Sequence, residues 1–213
     1  IFTSGAVIGL LLILQWNVPV PVAFLGAMVG AGLLGIVLEV VAFMPLRRRN
    51  APRISQLISS IGAAILIVNL TQLLFTSLFA TTEAYFPRDL IPETPIQLGG
   101  GVAVQPIRLI ILAVSLVLMV ILQYLVNRTR LGRQMRAVAF NQRTARLLGI
   151  NVSRIYLLTF FLAGMLGGAG GLLYGLAFTR VTPIIAQDIA LVGLTALVLG
   201  GLGRIPGAVV GGF

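Results

Sequence analysis

Glu39 and Asp188 are the two carboxylates near or within the apolar stretches of this 213-residue chain, which has no histidine and no cysteine. Zinc and haem ligation, thiol catalysis and Ser-His-Asp chemistry need residue types the chain lacks, so no catalytic residue, metal ligand or bound cofactor is expected. A carboxylate inside a membrane span is a first place to look for function. Glu39, two turns before Arg47, reads as paired with a nearby arginine at the cytoplasmic interface. Asp188 reads as an N-cap. With so few acids and no histidine, proton-coupled transport has no relay to run on.

Three polar patterns remain. The first is the segment Asn127–Arg154, which carries seven of the chain's fifteen arginines and no acid. Inside it Asn141 suits an N-cap, since its side-chain oxygen can accept from free amides of the next turn. Gly149 suits the left-handed position past a helix end. Between them Gln142–Leu148 makes about two turns, or about 10 Å, of helix. Arg136 and Arg143 share a face only if helix continues through Phe140. The plainer reading is a solvated loop facing lipid headgroups. The sharper one is a rigid docking knob, with Leu147-Leu148 looking buried.

The second pattern is a stripe at Ser55, Gly62, Asn69 and Thr76, each seven apart, with Ser59 and Gln72 beside them. One helix face holds them all. Such a face turns away from lipid, as glue between helices or as the wall of a substrate path. Glue is the reading for Ser59 and Gly62. Asn69 and Gln72 stand equally for both, and Asn69, Gln72 and Thr76 are the path candidates. The third pattern is Gly164, Gly168, Gly171 and Gly175, flanked by Gly167 and Gly170, whose spacing lets a neighbouring helix come close.

The elements that must carry these patterns are set by composition. The chain is 58% hydrophobic and 9% charged, whereas a soluble domain has about 25% charged residues. Its apolar runs reach the roughly 20 residues a membrane helix needs. Segments of alternating polarity, the mark of a β-barrel, are absent. The expectation is an all-α polytopic bundle of about six or seven spans. It forms a single transmembrane domain over 1–213. The spans are Ile1–Leu14, Val20–Leu46, Ser55–Ala80, Ile107–Val126, Ile155–Phe178 and Asp188–Leu202, with a seventh beginning after Arg204-Ile205-Pro206-Gly207. Trp16, Pro19 and Pro21 mark an interfacial turn. The sixth span is short enough to be tilted, broken or re-entrant.

Arginine counts set the orientation. The loop at 47–54 carries four arginines and that at 127–154 seven, so both are cytoplasmic. The loop at 81–106 carries one and is external. The net charge of +10 is therefore a topology signal, and nucleic acid is not an expected partner. The chain opens inside one apolar run without a Met and stops as another begins. That reads as a fragment missing at least one helix at each end.

RTRLGRQMRAVAFNQRTARLLGINVSRIYLLTFFLAGMLGGAGGLLYG and ALVLGGLGRIPGAVVGG resemble the membrane permease of branched-chain amino-acid ABC importers, the H-type subunit of the LIV system. SSIGAAILIVNLTQLLF and Glu39 with Pro45-Leu46-Arg47 match as well, so the resemblance covers nearly the whole chain. Importer permeases share a cytosolic loop of the type Glu-Ala-Ala-x-x-x-Gly. Arg143, Thr144, Ala145 and Gly149 fall at that spacing, with Arg143 and Thr144 where the motif has Glu and Ala. Relatives often have Gly-Leu-Lys where this chain has Ala190-Leu191-Val192. The resemblance implies that Arg143, Thr144, Ala145, Arg146, Leu148 and Gly149 belong to a coupling helix docked on an ATPase. It implies a second permease subunit, two cytosolic ATPase subunits that hold the ATP and magnesium, and a periplasmic binding protein, in a bacterial inner membrane. Related permeases handle urea or short amides, which stand as alternative solutes. A channel or secondary transporter with no ATPase is the alternative from another class, as is a purely structural membrane subunit.

Overall fold

Proline and glycine punctuate the helices of this chain. The computed structural model describes residues 1–49, 52–79, 84–86, 96–97, 103–182, 185–201 and 205–212. Helix α1, Phe2–Trp16, stops at Asn17, whose φ of 47° is left-handed. Pro19 and Pro21 then open α2, Val20–Leu38, where a missing N–H costs nothing because first-turn amides have no intrahelical partner.

The second span is not a regular helix. Residues Glu39–Phe43 form a π turn, and Met44–Arg48 form α3. The Met44 amide donates to the carbonyl of Glu39, five residues back. Pro45 supplies the cause. It has no N–H to give, and its ring crowds the carbonyl four residues earlier, which a wider turn relieves.

The later helices are α4 (Arg53–Phe79), α5 (Pro106–Arg128), α6 (Arg130–Phe140), α7 (Gln142–Leu147), α8 (Val152–Phe178), α9 (Ile185–Gly200) and α10 (Ile205–Val210). Among the described residues four helical stretches are long and apolar enough to cross a membrane. They are Val20–Arg47, Ile54–Leu74, Pro106–Arg128 and Val152–Phe178. The shorter apolar helices Phe2–Trp16 and Ala186–Gly200 stand where the first and sixth spans are expected. The class is all-α, as the composition requires. Two-residue ladders add little to it: β1 (Ala84–Tyr85) pairs antiparallel with β4 (Arg180–Val181), and β2 (Ile96–Gln97) with β3 (Ala103–Val104). Most of the expected external loop, Glu83, Asp89 and Glu93 included, lies outside the described residues.

The chain divides into two compact units, Ile1–Phe86 with Arg146–Pro183, and Pro87–Ala145 with Ile184–Phe213. In the first, α1, α2 and α8 pack on one another. Its core is Ala6, Leu10, Ala23, Ala27, Ala31, Ala169 and Leu172, all at most 1% exposed. Small residues dominate because the backbones touch. A Cβ on Gly164 would lie 2.5 Å from the carbonyl oxygen of Ala31, and one on Gly168 2.5 Å from the Ala31 Cβ. At Gly171 it would strike the carbonyl of Phe2, and at Gly175 the ring of Phe86. Dispersion and backbone approach hold such a core, since lipid supplies no hydrophobic drive between helices.

In the second unit α5 packs on α6, and α10 on α9 and α5. Gly201, at φ 88°, breaks the sixth span. Beyond it α10 turns back, so that a Cβ on Gly200 would strike the carbonyl of Gly207 and one on Gly211 would lie 2.5 Å from the carbonyl of Ala196. Asp188 does not cap α9, which begins three residues earlier at Ile185. It sits exposed in the first turn, where a carboxylate still complements the helix dipole.

Candidate functional site

The arginine segment holds two short helices, α6 and α7, and the start of α8, each begun by its own cap. At the first joint the Thr129 hydroxyl donates to the carbonyl of Leu125 and accepts from the Gly132 amide at 3.1 Å. The guanidinium of Arg136 donates to the carbonyl of Val126. Together these occupy carbonyls in the last turns of α5 that have no partner in their own helix. Gly132 fits because any Cβ there would press on the carbonyls of Leu125 and Val126. Arg136, which charge counting assigns to topology and headgroups, is thus a C-terminal cap for α5. The available signal was its place near a capping threonine and near exposed carbonyls that attract cations.

The second joint is Asn141. Its backbone is extended, with φ −154°, so α6 ends at Phe140 and does not continue into α7. Its Oδ1 accepts from the amides of Arg143 at 2.9 Å and Thr144 at 3.1 Å. Helix α7 closes at Gly149, where φ is 79° and the amide donates to the carbonyl of Arg146 at 3.0 Å. Both end residues therefore act as their chemistry predicts. Asn151 repeats the device and accepts from the Arg154 amide at the start of α8.

Side-chain exposure splits the six residues expected on this knob. Arg143, Thr144, Arg146, Leu148 and Gly149 are exposed, while Ala145 is buried and is the inward side of α7. Leu147 and Leu148 do not look inward. They are 83% and 73% exposed, and Phe140 is 95% exposed. Two large apolar side chains at the end of α7 thus stand out beside Arg146, which has no ion-pair partner among the described residues.

The expected path residues sit on α4, and Asn69, Gln72 and Thr76 are all exposed. The Asn69 amide donates to the carbonyl of Ile65 at 2.8 Å, and the Thr76 hydroxyl to that of Gln72 at 3.0 Å. Gly62, read as glue, has nothing within 4 Å of its would-be Cβ. Ser59 of that stripe does reach another element, donating to the carbonyl of Ala42 in the π turn at 3.4 Å.

Glu39 is 0% exposed, and its carboxylate lies 2.5 Å from a guanidinium nitrogen of Arg47. The two opposite charges are in direct contact, and neither Glu39 oxygen bonds any other group among the described residues. The Arg47 guanidinium also lies over the ring of Tyr156 on α8, 3.8 Å from its centroid. The expected Glu39–Arg47 pairing is present, and the aromatic third member escapes a sequence reading because it is over a hundred residues away in the chain. Among the described residues no group of three or more His, Cys, Asp or Glu could hold a metal ion.

Four helical stretches long and apolar enough to cross a membrane, among the described residues, mark a multi-pass membrane protein. The chain belongs to the family described as the branched-chain amino acid transport system / permease component, which it matches over residues 1–213. It is 32% identical, over 91% of its length and 61% of the relative's, to the high-affinity branched-chain amino acid transport system permease protein LivH of Salmonella typhimurium. It is 33% identical, over 89% of its length and 61% of the relative's, to the corresponding permease protein BraD of Pseudomonas aeruginosa. The ribose import permease protein RbsC of Escherichia coli is 33% identical over 94 residues, covering 41% of this chain and 29% of that protein. The chain thus spans about three-fifths of the length of the branched-chain relatives it matches. No solved structure matches it.

Proposed function

We propose that the chain is the translocation subunit of an ATP-driven importer for branched-chain or similar apolar amino acids in a bacterial inner membrane. It works beside a second permease subunit, two cytosolic ATPase subunits that bind ATP and magnesium, and a periplasmic binding protein. Loops 47–54 and 127–154 face the cytoplasm and loop 81–106 faces outward. The observation that carries this is α7. A helix capped by Asn141 and Gly149 presents Leu147 and Leu148 to solvent. Exposed apolar side chains rimmed by cations are what a partner's groove buries.

ATP binding closes the ATPase pair, α7 moves with it, and α8 carries the motion into the membrane. Asn69, Gln72 and Thr76 offer weakly polar contacts to a passing solute. The shared stretch with a ribose permease supports a common translocation device, with solute choice resting largely on the external binding protein.

A cysteine at Leu148 in the assembled transporter is expected to cross-link to the ATPase. Reaction with water-soluble thiol reagents but never with the ATPase would remove the main support. Gly149→Val places a β-branched residue at φ 79°, a strain of about 1–3 kcal/mol. Uptake into vesicles is expected to fall while assembly and ATP hydrolysis persist. Unchanged uptake argues against docking at α7.

A further inference from the structure

The Glu39–Arg47–Tyr156 cluster does something that the docking helix and the α4 stripe do not. It joins the one irregular turn of the second span to the start of α8. Tyr156 lies in the second turn of α8, five residues after the Asn151 cap and seven after Gly149. Arg47 lies in α3, directly beyond the π turn. A π turn is a register fault that can relax or migrate, and moving it rotates α3 against α2. This one is gripped from two sides. Ser59 of α4 donates to the carbonyl of Ala42, and α8 holds it through Arg47 on Tyr156 and through the rings of Phe43 and Phe160, whose centroids are 5.1 Å apart.

A salt bridge serving stability alone does not need this geometry, since a buried ion pair gains little over well-packed apolar side chains. The planar guanidinium does what a lysine cannot: one edge meets Glu39 while its face covers the Tyr156 ring. Glu39, fully buried, fixes where that plane stands.

We propose that Arg47 and Tyr156 are positioning residues, forming the joint through which movement of the Arg146–Gly149 end of α7 reaches the π turn of the second span. Glu39 is the anchor of that joint. The joint rests on the coupling role given to α7 above. The α7 segment and the first turns of α8 move as one covalent lever, and Tyr156 pulls or releases the Arg47 plane. The second span then changes its bend where it is already irregular.

The test uses the whole transporter, purified with its partner subunits and reconstituted in proteoliposomes with binding protein and leucine. Solute imported per ATP hydrolysed is measured. Wild type must import leucine; if it does not, the proposed function fails before the joint is tested. In Tyr156→Leu, assembly and ATP hydrolysis are expected to persist while solute per ATP falls about fivefold, the low end of usual coupling effects. Tyr156→Phe keeps the ring and is expected to retain a clearly higher ratio than Tyr156→Leu. A ratio within twofold of wild type in Tyr156→Leu, or equal loss in the Phe and Leu variants, overturns the joint. Should Tyr156→Leu fail to assemble, Arg47→Lys decides. It keeps the charge opposite Glu39 and loses the stacked plane, so the same drop is expected, and an unchanged ratio overturns the proposal.

Discussion

Helices α4 and α8 carry small and polar residues at nearly the same spacing, yet one face is filled and the other is open. On α8 the glycines meet backbone from α1 and α2, and a methyl group at Gly164, Gly168 or Gly171 has nowhere to go. On α4 the equivalent Gly62 meets nothing, and Asn69, Gln72 and Thr76 face outward, with Asn69 and Thr76 bonded back to their own helix. A small-residue stripe therefore announces a close neighbour without saying whose. In α8 the neighbour is the chain itself. In α4 the described residues supply a partner at Ser59, the carbonyl of Ala42, and none at Gly62.

The same substitution on both faces gives the sharpest test. Gly168→Leu is expected to lower the stability of the detergent-purified chain by about 3 kcal/mol, the upper range for overpacking, read as a drop in thermal unfolding temperature. An unchanged melting curve would mean that α8 does not pack as described. Next in size, Asn69→Leu is expected to reduce uptake severalfold with expression intact, because a donor and an acceptor vanish from the proposed path without touching the core. Full uptake would return the α4 stripe to simple packing. Gly62→Leu is expected to change the melting of the isolated chain by about 1 kcal/mol or less, and in the stabilising direction, since the helix gains a better former in open space. A large loss there would show that α4 has a neighbour at Gly62 as well as at Ser59.

Legibility in the sequence tracks the range of each interaction. Asn141 and Gly149 are readable because a cap acts within three residues and depends on side-chain chemistry alone. The spans are readable because burial in lipid selects composition over twenty residues. The π turn is not, although Pro45 stands in plain view, because a proline says that a helix must adjust and leaves open how. The direction of Leu147 and Leu148 misleads for a related reason. Apolar side chains look buried by type, whereas these two stand exposed and Ala145 takes the buried side of α7. Tyr156 gives no local signal at all, since its meeting with Arg47 is decided by how α8 crosses the second span. Arg136 falls between these cases. Its charge is countable, but its bond to the carbonyl of Val126 is hidden in a turn whose tightness depends on Gly132.

Helix α7 has six residues, well below the roughly 12–15 at which an isolated helix becomes even marginal in water. Propagation cannot sustain it, so its lifetime belongs to its ends. The amides of Arg143 and Thr144 are held by one side-chain oxygen, that of Asn141. Both are released together whenever that oxygen turns away. In the free chain their protons are therefore expected to trade with solvent faster than those of α8. Burial of Leu147 and Leu148 by a partner would slow them in step. Under the docking proposed for α7, these two hydrogens would time how long a partner stays engaged.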